Sequence, residues 1–147
     1  MSHLLLACCC LLAAFTARAE VVNIDSAELA KLAAAGVPVI DIRTSPEWVE
    51  TGIVPGSHLL TFFDERGRAD PAAWLDRVRA IAKPGEPLIV ICRTGNRTQP
   101  VSQFLWQHAG YPRVYNVRDG IVAWIKERRP IASAAPALAA CRAARTC

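Results

Sequence analysis

Two short runs of the chain are predicted strands buried on both faces, and they constrain the fold more than any other sequence feature. Leu88 to Ile91 is fully apolar, and Val37 to Ile42 is hydrophobic on both of its faces. Strands of this kind are typical of parallel sheets that are covered by helices on either side. Because parallel neighbours need a crossover between them, the segments that separate such strands are expected to be helical.

Helical patterns do separate the predicted strands. Asp25 begins the first helix, with Glu28 three residues later as in a capping box, and Gly36 ends it. Pro46 and Pro71 each lie in the first turn of a later helix, where proline is tolerated. The predicted strands cover 21–24, 37–42, 88–91 and 114–117, and the predicted helices begin at 25, 45, 70, 98 and 121. We predict an α/β fold with a doubly wound, mainly parallel five-stranded sheet and helices on both faces, and these ranges locate four of its five strands.

The first nineteen residues have the pattern of a secretory signal peptide. Leu4 to Phe15 is almost unbroken in its apolar character, and Ala17-Arg18-Ala19 follows it as a cleavage pattern. The run is shorter than the ~20 residues of a membrane span. A buried N-terminal helix and a lipoprotein leader ending before Cys8 are the alternatives. We expect cleavage after Ala19, export to the periplasm or medium, and no membrane span in the mature chain.

Composition excludes several classes of protein. A length of 147 residues suits one domain, and 52% hydrophobic residues argue against a disordered chain. The net charge of +4 is spread along the sequence, without the dense basic stripe of a nucleic-acid binder. His58 and His108 lack metal-ligand spacing, and no zinc-type cysteine pair occurs, so no metal site is predicted. The oligomeric state is left open.

Cys92 is the first residue after the apolar run 88–91, and it lies at the edge of the sheet where ligands bind in open α/β folds. Gly95 and Asn96 tolerate left-handed backbone angles, so the loop can curl and turn its N–H groups inward as an anion-binding nest. A helix N-terminus and nearby guanidinium groups favour the thiolate form of a cysteine. The predicted site consists of the nucleophile Cys92 and an anion-binding loop of Arg93, Thr94, Gly95, Asn96, Arg97 and Thr98. The plain alternative is a buried cysteine beside a solvated basic turn.

This loop resembles the active-site loop of the rhodanese-like sulfurtransferases, and the likeness extends from about Asp25 to Pro130. The segment 39–43 with Pro46-Glu47-Trp48 resembles the first signature of the family, and 51–58 resembles its Gly-x-x-Pro-Gly-Ala segment with serine for alanine. The segment 117–120 with Ala123-Trp124 resembles the final Gly-Gly…Trp element, with Asp119 in place of the first glycine. We therefore predict a rhodanese-like domain over 20–131.

The resemblance implies that Cys92 carries sulfane sulfur as a persulfide. A small anionic donor such as thiosulfate would supply the sulfur, and cyanide or a thiol would accept it, with no metal or organic cofactor. Arg93 beside the nucleophile resembles the basic, thiosulfate-preferring loops of the family. The resemblance also implies that Asp41 and Arg43 support the loop from the next strand end, whereas the plain alternative for them is a surface ion pair.

Two other functions remain compatible with the sequence. Cysteine phosphatases and arsenate reductases have a similar loop, but five residues separate their cysteine and arginine, whereas four separate Cys92 from Arg97. The shorter loop suits a sulfur atom better than a tetrahedral phosphate. A persulfide carrier that serves a partner protein would share Cys92 and the nest, so it stays open.

The last sixteen residues, 132–147, are predicted to be an Ala-rich, mobile tail that contains Cys141 and Cys147. In an oxidising compartment these two cysteines are candidates for a local disulfide. A second hypothesis is that the tail reaches back to Cys92 and takes part in sulfur transfer.

Overall fold

The computed structural model of the protein describes residues 20–145. The predicted signal peptide and Cys147 lie outside this range. In chain order, the elements are β1 (Glu20–Ile24), α1 (Ser26–Ala34), β2 (Val39–Asp41), α2 (Ser45–Thr51), β3 (His58–Leu59), α3 (Pro71–Ile81), β4 (Leu88–Ile91), α4 (Thr98–His108), β5 (Arg113–Val117), α5 (Gly120–Lys126) and α6 (Ala135–Ala144).

The five strands form one sheet in the order β1-β5-β4-β2-β3, and every pair of neighbours is parallel. Strand β4 lies at the centre, with β2 and β5 on its two sides. This is the α/β, doubly wound, five-stranded sheet that the sequence predicts. The carboxyl ends of β2 and β4 are therefore adjacent, which brings the segments after Asp41 and Ile91 to one edge of the sheet.

Alternate residues of the central strand face two separate apolar layers. Leu88, Val90 and Cys92 pack with α3 and α4 on one face of the sheet. Ile89 and Ile91 pack with α1 and α5 on the other. Because helices cover both faces of the sheet at β4, this strand has no polar residue.

Helix boundaries follow local capping chemistry. The Asp25 carboxylate accepts a hydrogen bond from the Glu28 backbone N–H at 2.9 Å, and Asp70 accepts one from Ala73 at 3.0 Å. These bonds satisfy N–H groups that an α-helix leaves without partners in its first turn. The predicted capping box at Asp25 is thus formed in one direction, while the Glu28 side chain pairs with Lys31 instead.

The segment predicted as a mobile tail contains a packed helix. Helix α6 buries Leu138, which joins Trp48 of α2, Ile53 and Leu59 in a third apolar cluster at the β3 edge of the sheet. Ile53 and Ala132 also form an antiparallel bridge that anchors the segment leading into the helix. The expectation of mobility is wrong for 135–144, because alanine is a strong helix former and Leu138 supplies an apolar contact.

Among residues 20–145, no helix has the length and apolar character needed to cross a membrane.

Candidate functional site

Cys92 is the focus of the loop between β4 and α4. Its side chain is buried, and the backbone N–H of Gly95 points at its Sγ atom from 3.2 Å. The Thr98 hydroxyl lies 3.8 Å from the same sulfur. The loop therefore curls around the sulfur atom, although Gly95 adopts the left-handed backbone angle that was expected of both Gly95 and Asn96, and Asn96 does not. The Gly95 N–H offers a hydrogen bond to a negative charge at the sulfur.

Two glycines permit this curl because the loop fits closely against the segment 118–120. A Cβ on Gly95, whose φ is +90°, would collide with the backbone carbonyl of Arg118. A Cβ on Gly120, whose φ is +61°, would collide with the backbone of Arg93. Both positions combine a left-handed backbone with a close approach, so each requires glycine.

Hydrogen bonds tie the loop to helix α5 and to the start of helix α4. The carbonyl of Cys92 accepts from Ile121 N–H at 2.9 Å, and the carbonyl of Arg93 accepts from Val122 at 3.2 Å. The Thr98 hydroxyl donates to the carbonyl of Gly95 at 2.9 Å. The sulfur is thus held on a rigid frame rather than on a flexible loop.

Arg97 is joined to Glu47 at the first turn of α2. The two guanidinium nitrogens of Arg97 contact the two carboxylate oxygens of Glu47 at 2.8 and 2.6 Å. This bidentate pairing raises the pKa of Arg97 against the opposing effect of burial, and the charge of Cys92 contributes further in the same direction. The cation predicted for the loop is present, but its charge is balanced by a carboxylate.

Glu47 is held firmly in turn. Its Oε2 atom accepts from the backbone N–H and the hydroxyl of Thr44, at 3.0 and 3.1 Å. Burial alone would raise the pKa of Glu47, but the hydrogen bonds from Arg97 and Thr44 outweigh it and lower the pKa to about 2. In the sequence, Glu47 stands out only as part of the family's first signature. Its contact with Arg97, fifty positions away, could not be inferred from spacing.

Asp41 and Arg43 form a buried ion pair and not the surface pair that was the alternative for them. Their side chains are 0% and 1% exposed, and Arg43 Nη2 lies 2.7 Å from Asp41 Oδ2. Arg43 also donates to the carbonyls of Gly52 at 2.9 Å and of Glu47 at 3.3 Å. The predicted support is therefore indirect, because Arg43 holds the backbone of Glu47, and Glu47 holds Arg97.

The remaining loop residues are open to solvent. Arg93, Thr94 and Asn96 are exposed. Within residues 20–145, no carboxylate lies within ion-pair distance of Arg93, although Arg118 nearby is paired with Asp119 at 3.3 Å. Arg93 is thus placed to meet an anion that arrives from solvent.

Cys141 is not brought to this site. It belongs to the cluster of Trp48, Leu59 and Leu138 around α6, whereas Cys92 belongs to the cluster beneath α3 and α4. The packed helix argues against a tail that reaches back to Cys92. Because Cys147 lies outside the described residues, its disulfide with Cys141 stays a prediction. No group of three or more potential metal ligands occurs in 20–145.

Cys92 thus lies at the carboxyl end of the central parallel strand β4, in a loop that leads into the N-terminus of α4 and contains the Arg97 that pairs with Glu47. This arrangement is that of an α/β protein with a cysteine-loop site. The model of the rhodanese-like domain matches residues 25–127. The chain therefore belongs to the rhodanese-like domain family, as the sequence motifs predict.

Several named relatives are sulfurtransferases. The chain is 29% identical over 117 residues to thiosulfate sulfurtransferase 18 of Arabidopsis thaliana, covering 76% of this chain and 84% of that protein. It is 31% identical over 116 residues to a sulfurtransferase of Allochromatium vinosum, covering 74% and 92%. A rhodanese-related protein from Thermoplasma volcanium is similar in structure, with a TM-score of 0.55, 27% identity and coverage of 76% and 97%.

Proposed function

We propose that this protein is an exported sulfurtransferase that moves sulfane sulfur from thiosulfate, or a similar anionic donor, to a thiophilic acceptor through a persulfide on Cys92. The observation that carries the proposal is the Gly95 N–H aimed at Cys92 Sγ from 3.2 Å within a loop that curls around the sulfur. Two sulfurtransferase relatives support the same class of reaction.

The first half-reaction is a displacement at sulfur. The Cys92 thiolate attacks the outer sulfur of thiosulfate, so that a new S–S bond forms while the S–S bond of the donor breaks. Sulfite leaves with the electron pair of the broken bond. The terminal sulfur of the persulfide then carries the negative charge, and the inward N–H of Gly95 and the N-terminus of α4 stabilise it.

The second half-reaction restores the thiolate. An acceptor such as cyanide attacks the terminal sulfur and leaves as thiocyanate, and the electron pair of the persulfide bond returns to Cys92. Both steps proceed through one covalent intermediate, which gives the kinetics of a double displacement. The exposed guanidinium of Arg93 is suited to attract the anionic donor, since it has no carboxylate partner among residues 20–145.

The size of the loop favours sulfur over phosphate. With four residues between Cys92 and Arg97, the Gly95 N–H already contacts the sulfur atom itself. Arg97 is also engaged on both of its outer nitrogens by Glu47, so it is not available to bind a phosphate in a bidentate manner. Both features support transfer of a single sulfur atom rather than a phosphoryl group.

Export is supported by the apolar run and cleavage pattern in residues 4–19. N-terminal sequencing of the protein recovered from an extracytoplasmic fraction tests this. A mature chain that starts at Glu20 is expected, and an intact N-terminus at Met1 would contradict export by this route.

The enzymatic proposal is tested by two assays on one preparation. Thiocyanate formation from thiosulfate and cyanide is expected, with parallel lines in double-reciprocal plots at different cyanide concentrations. Hydrolysis of an aryl phosphate is expected to be absent. Rapid phosphate release without thiocyanate would favour the phosphatase alternative, and a persulfide that cyanide cannot discharge would favour the carrier.

A further inference from the structure

The segment that follows β5 lies directly against the Cys92 loop, and it carries two opposite charges. Gly95, whose N–H points at the Cys92 sulfur, leaves no room for a Cβ because the Arg118 carbonyl lies against it. The side chains of Arg118 and Asp119 form an ion pair at 3.3 Å. Both charges therefore project from a stretch of backbone that touches the loop around the sulfur.

Arg118 leaves the sheet on the face to which Cys92 belongs. Its backbone N–H donates to the carbonyl of Ile24 at 3.1 Å, so it continues the parallel ladder of β5. Alternate residues of a strand point to the same face of the sheet. Val114 packs in the same apolar layer as Cys92, whereas Val117 packs in the other layer. Arg118, four residues after Val114, thus projects toward the Cys92 face at the edge where the donor is proposed to bind.

The cations around the loop differ in their availability to a ligand. Arg97 is engaged by Glu47 through both of its outer nitrogens. Arg93 is exposed and has no carboxylate within ion-pair distance among residues 20–145. Arg118 is 60% exposed, and its partner Asp119 is 56% exposed. Because an ion pair this open to solvent is weak, an anionic ligand can take the place of the Asp119 carboxylate.

We propose that Arg118 is a second donor-binding residue beside Arg93, and that Asp119 competes with the donor for it. This inference rests on the proposed function, and it narrows the donor to a doubly charged anion. The two guanidinium groups balance the two negative charges of thiosulfate, whereas Arg97 is already balanced by a carboxylate. When the donor binds, its oxygens accept hydrogen bonds from Arg118, which releases Asp119. The Asp119 carboxylate therefore lowers the affinity of the site for thiosulfate.

The test uses the full chain with Cys92→Ser, so that binding is measured without turnover. The ¹⁵N-labelled protein is titrated with thiosulfate at constant ionic strength, and the shift of the Gly95 amide reports the dissociation constant. In this background, Arg118→Gln should weaken binding about threefold to fivefold, and Asp119→Asn should tighten it about twofold to threefold. The singly charged analogue methanethiosulfonate should respond less to both changes. Both effects should shrink as the salt concentration is raised.

The ion pair of Asp76 and Arg79 on α3 supplies the matched control. It is also exposed, with a distance of 3.2 Å, and Asp76 lies in the groove between α3 and α6, whose lining does not include residues 92–98. Asp76→Asn and Arg79→Gln change the net charge by the same amounts and should leave the affinity for thiosulfate unchanged.

Three results would overturn the proposal: Arg118→Gln binds thiosulfate as well as the Cys92→Ser protein does, Asp119→Asn does not tighten binding, or the control variants produce the same changes. Thiocyanate formation by the protein with Cys92 intact is measured in parallel. An active protein whose Arg118 and Asp119 variants bind alike contradicts this inference only. An inactive protein whose variants still differ as expected contradicts the proposed turnover, while the role of Arg118 in binding the anion stands.

Discussion

The Cys92 loop and helix α6 both carry a cysteine, but different forces hold them. Residues 92–98 are held by backbone hydrogen bonds, two glycines in tight contacts and the bidentate Glu47–Arg97 pair. Helix α6 is held by apolar contacts of Ala134 and Leu138 with Trp48, Ile53 and Leu59. The conformation of the loop therefore depends on the exact positions of hydrogen-bonding atoms, whereas the docking of α6 depends mainly on the apolar area that it buries.

Because of this difference, changes in the loop should affect the reaction, and changes beneath α6 should affect the free energy of unfolding. A small displacement in the loop moves donors away from the sulfur, which affects the reaction more than the fold. A cavity beneath α6 lowers the free energy of unfolding without touching the groups around Cys92. The predictions below test this separation, in order of decreasing effect on turnover.

The largest effect on turnover is expected at Cys92, and the two cysteines near the C-terminus serve as the comparison. Cys92→Ser should reduce thiocyanate formation by at least about 1,000-fold, because the nucleophile is removed. The double variant Cys141→Ala and Cys147→Ala should keep turnover with thiol acceptors within about twofold, because Cys141 packs in a separate cluster. Steady-state rates of the three proteins measure this. A large loss of turnover in the double variant would favour the hypothesis that the cysteines near the C-terminus take part in sulfur transfer.

Gly95→Ala is expected to lower turnover by about 100-fold, because its Cβ would force the loop away from the carbonyl of Arg118. Gly36→Ala is the matched control, since Gly36 has the same φ of +90° but no atom within 4 Å of an added Cβ. Both variants should lose about 1–2 kcal/mol from the left-handed backbone angle, Gly95→Ala should lose more because its Cβ also meets the Arg118 carbonyl, and only Gly95→Ala should lose activity. Equal turnover in the two variants would show that the close contact is irrelevant to the reaction.

Glu47→Gln is expected to reduce turnover by about tenfold, because Arg97 loses the carboxylate that positions it beside Cys92. Glu50→Gln, an exposed acid of the same helix α2, should leave turnover unchanged. If Glu50→Gln has the same effect, the loss reflects overall charge and not the pairing with Arg97.

The same pair of variants carries a pH dependence of stability. The pKa of Glu47 is lowered to about 2 from 4.5, so its contribution is present above about pH 4.5 and is lost as pH falls toward 2. Urea unfolding should show that Glu47→Gln is less stable than the parent at pH 7, by on the order of 1–3 kcal/mol after solvent screening. The two curves should converge near pH 2, and a difference that does not change with pH would contradict the assignment.

The smallest effect on turnover is expected in α6. Leu138→Ala should lower the free energy of unfolding by about 2–3 kcal/mol, because it removes a side chain that is 5% exposed from the α6 cluster. Turnover per folded molecule should stay within about twofold. A loss of activity comparable to that of Glu47→Gln would mean that α6 and the Cys92 loop are coupled.

Much of the fold follows from local sequence signals. The start of α3 and the limits of β4 are predicted correctly because Asp70-Pro71 caps the helix and because Leu88 to Ile91 has no polar residue. Helix α6 was missed because its alanines give little apolar periodicity, and burial depends on Leu138 meeting residues far away in sequence. Strand β3, two residues long, is too short to leave a pattern.

The site was predictable where its chemistry is local. Cys92, Gly95 and Arg97 lie within six residues, and their types alone predict a curled, cationic loop. The role of Glu47 was not predictable, because the parallel β2–β4 pairing brings together the segments that follow two separate strands. The burial of Arg43 was not predictable either, because its six side-chain hydrogen bonds to Asp41, Thr51, Gly52 and Glu47 exist only once α2 has packed beside β2.

The most direct test of the central claim is the intact mass of the protein after brief incubation with thiosulfate and removal of excess reagent, compared with Cys92→Ser. We predict that the parent gains the mass of one sulfur atom, that cyanide removes it, and that Cys92→Ser gains nothing. An unmodified parent, or a sulfur gained equally by Cys92→Ser, would contradict the assignment of Cys92 as the sulfur-carrying residue.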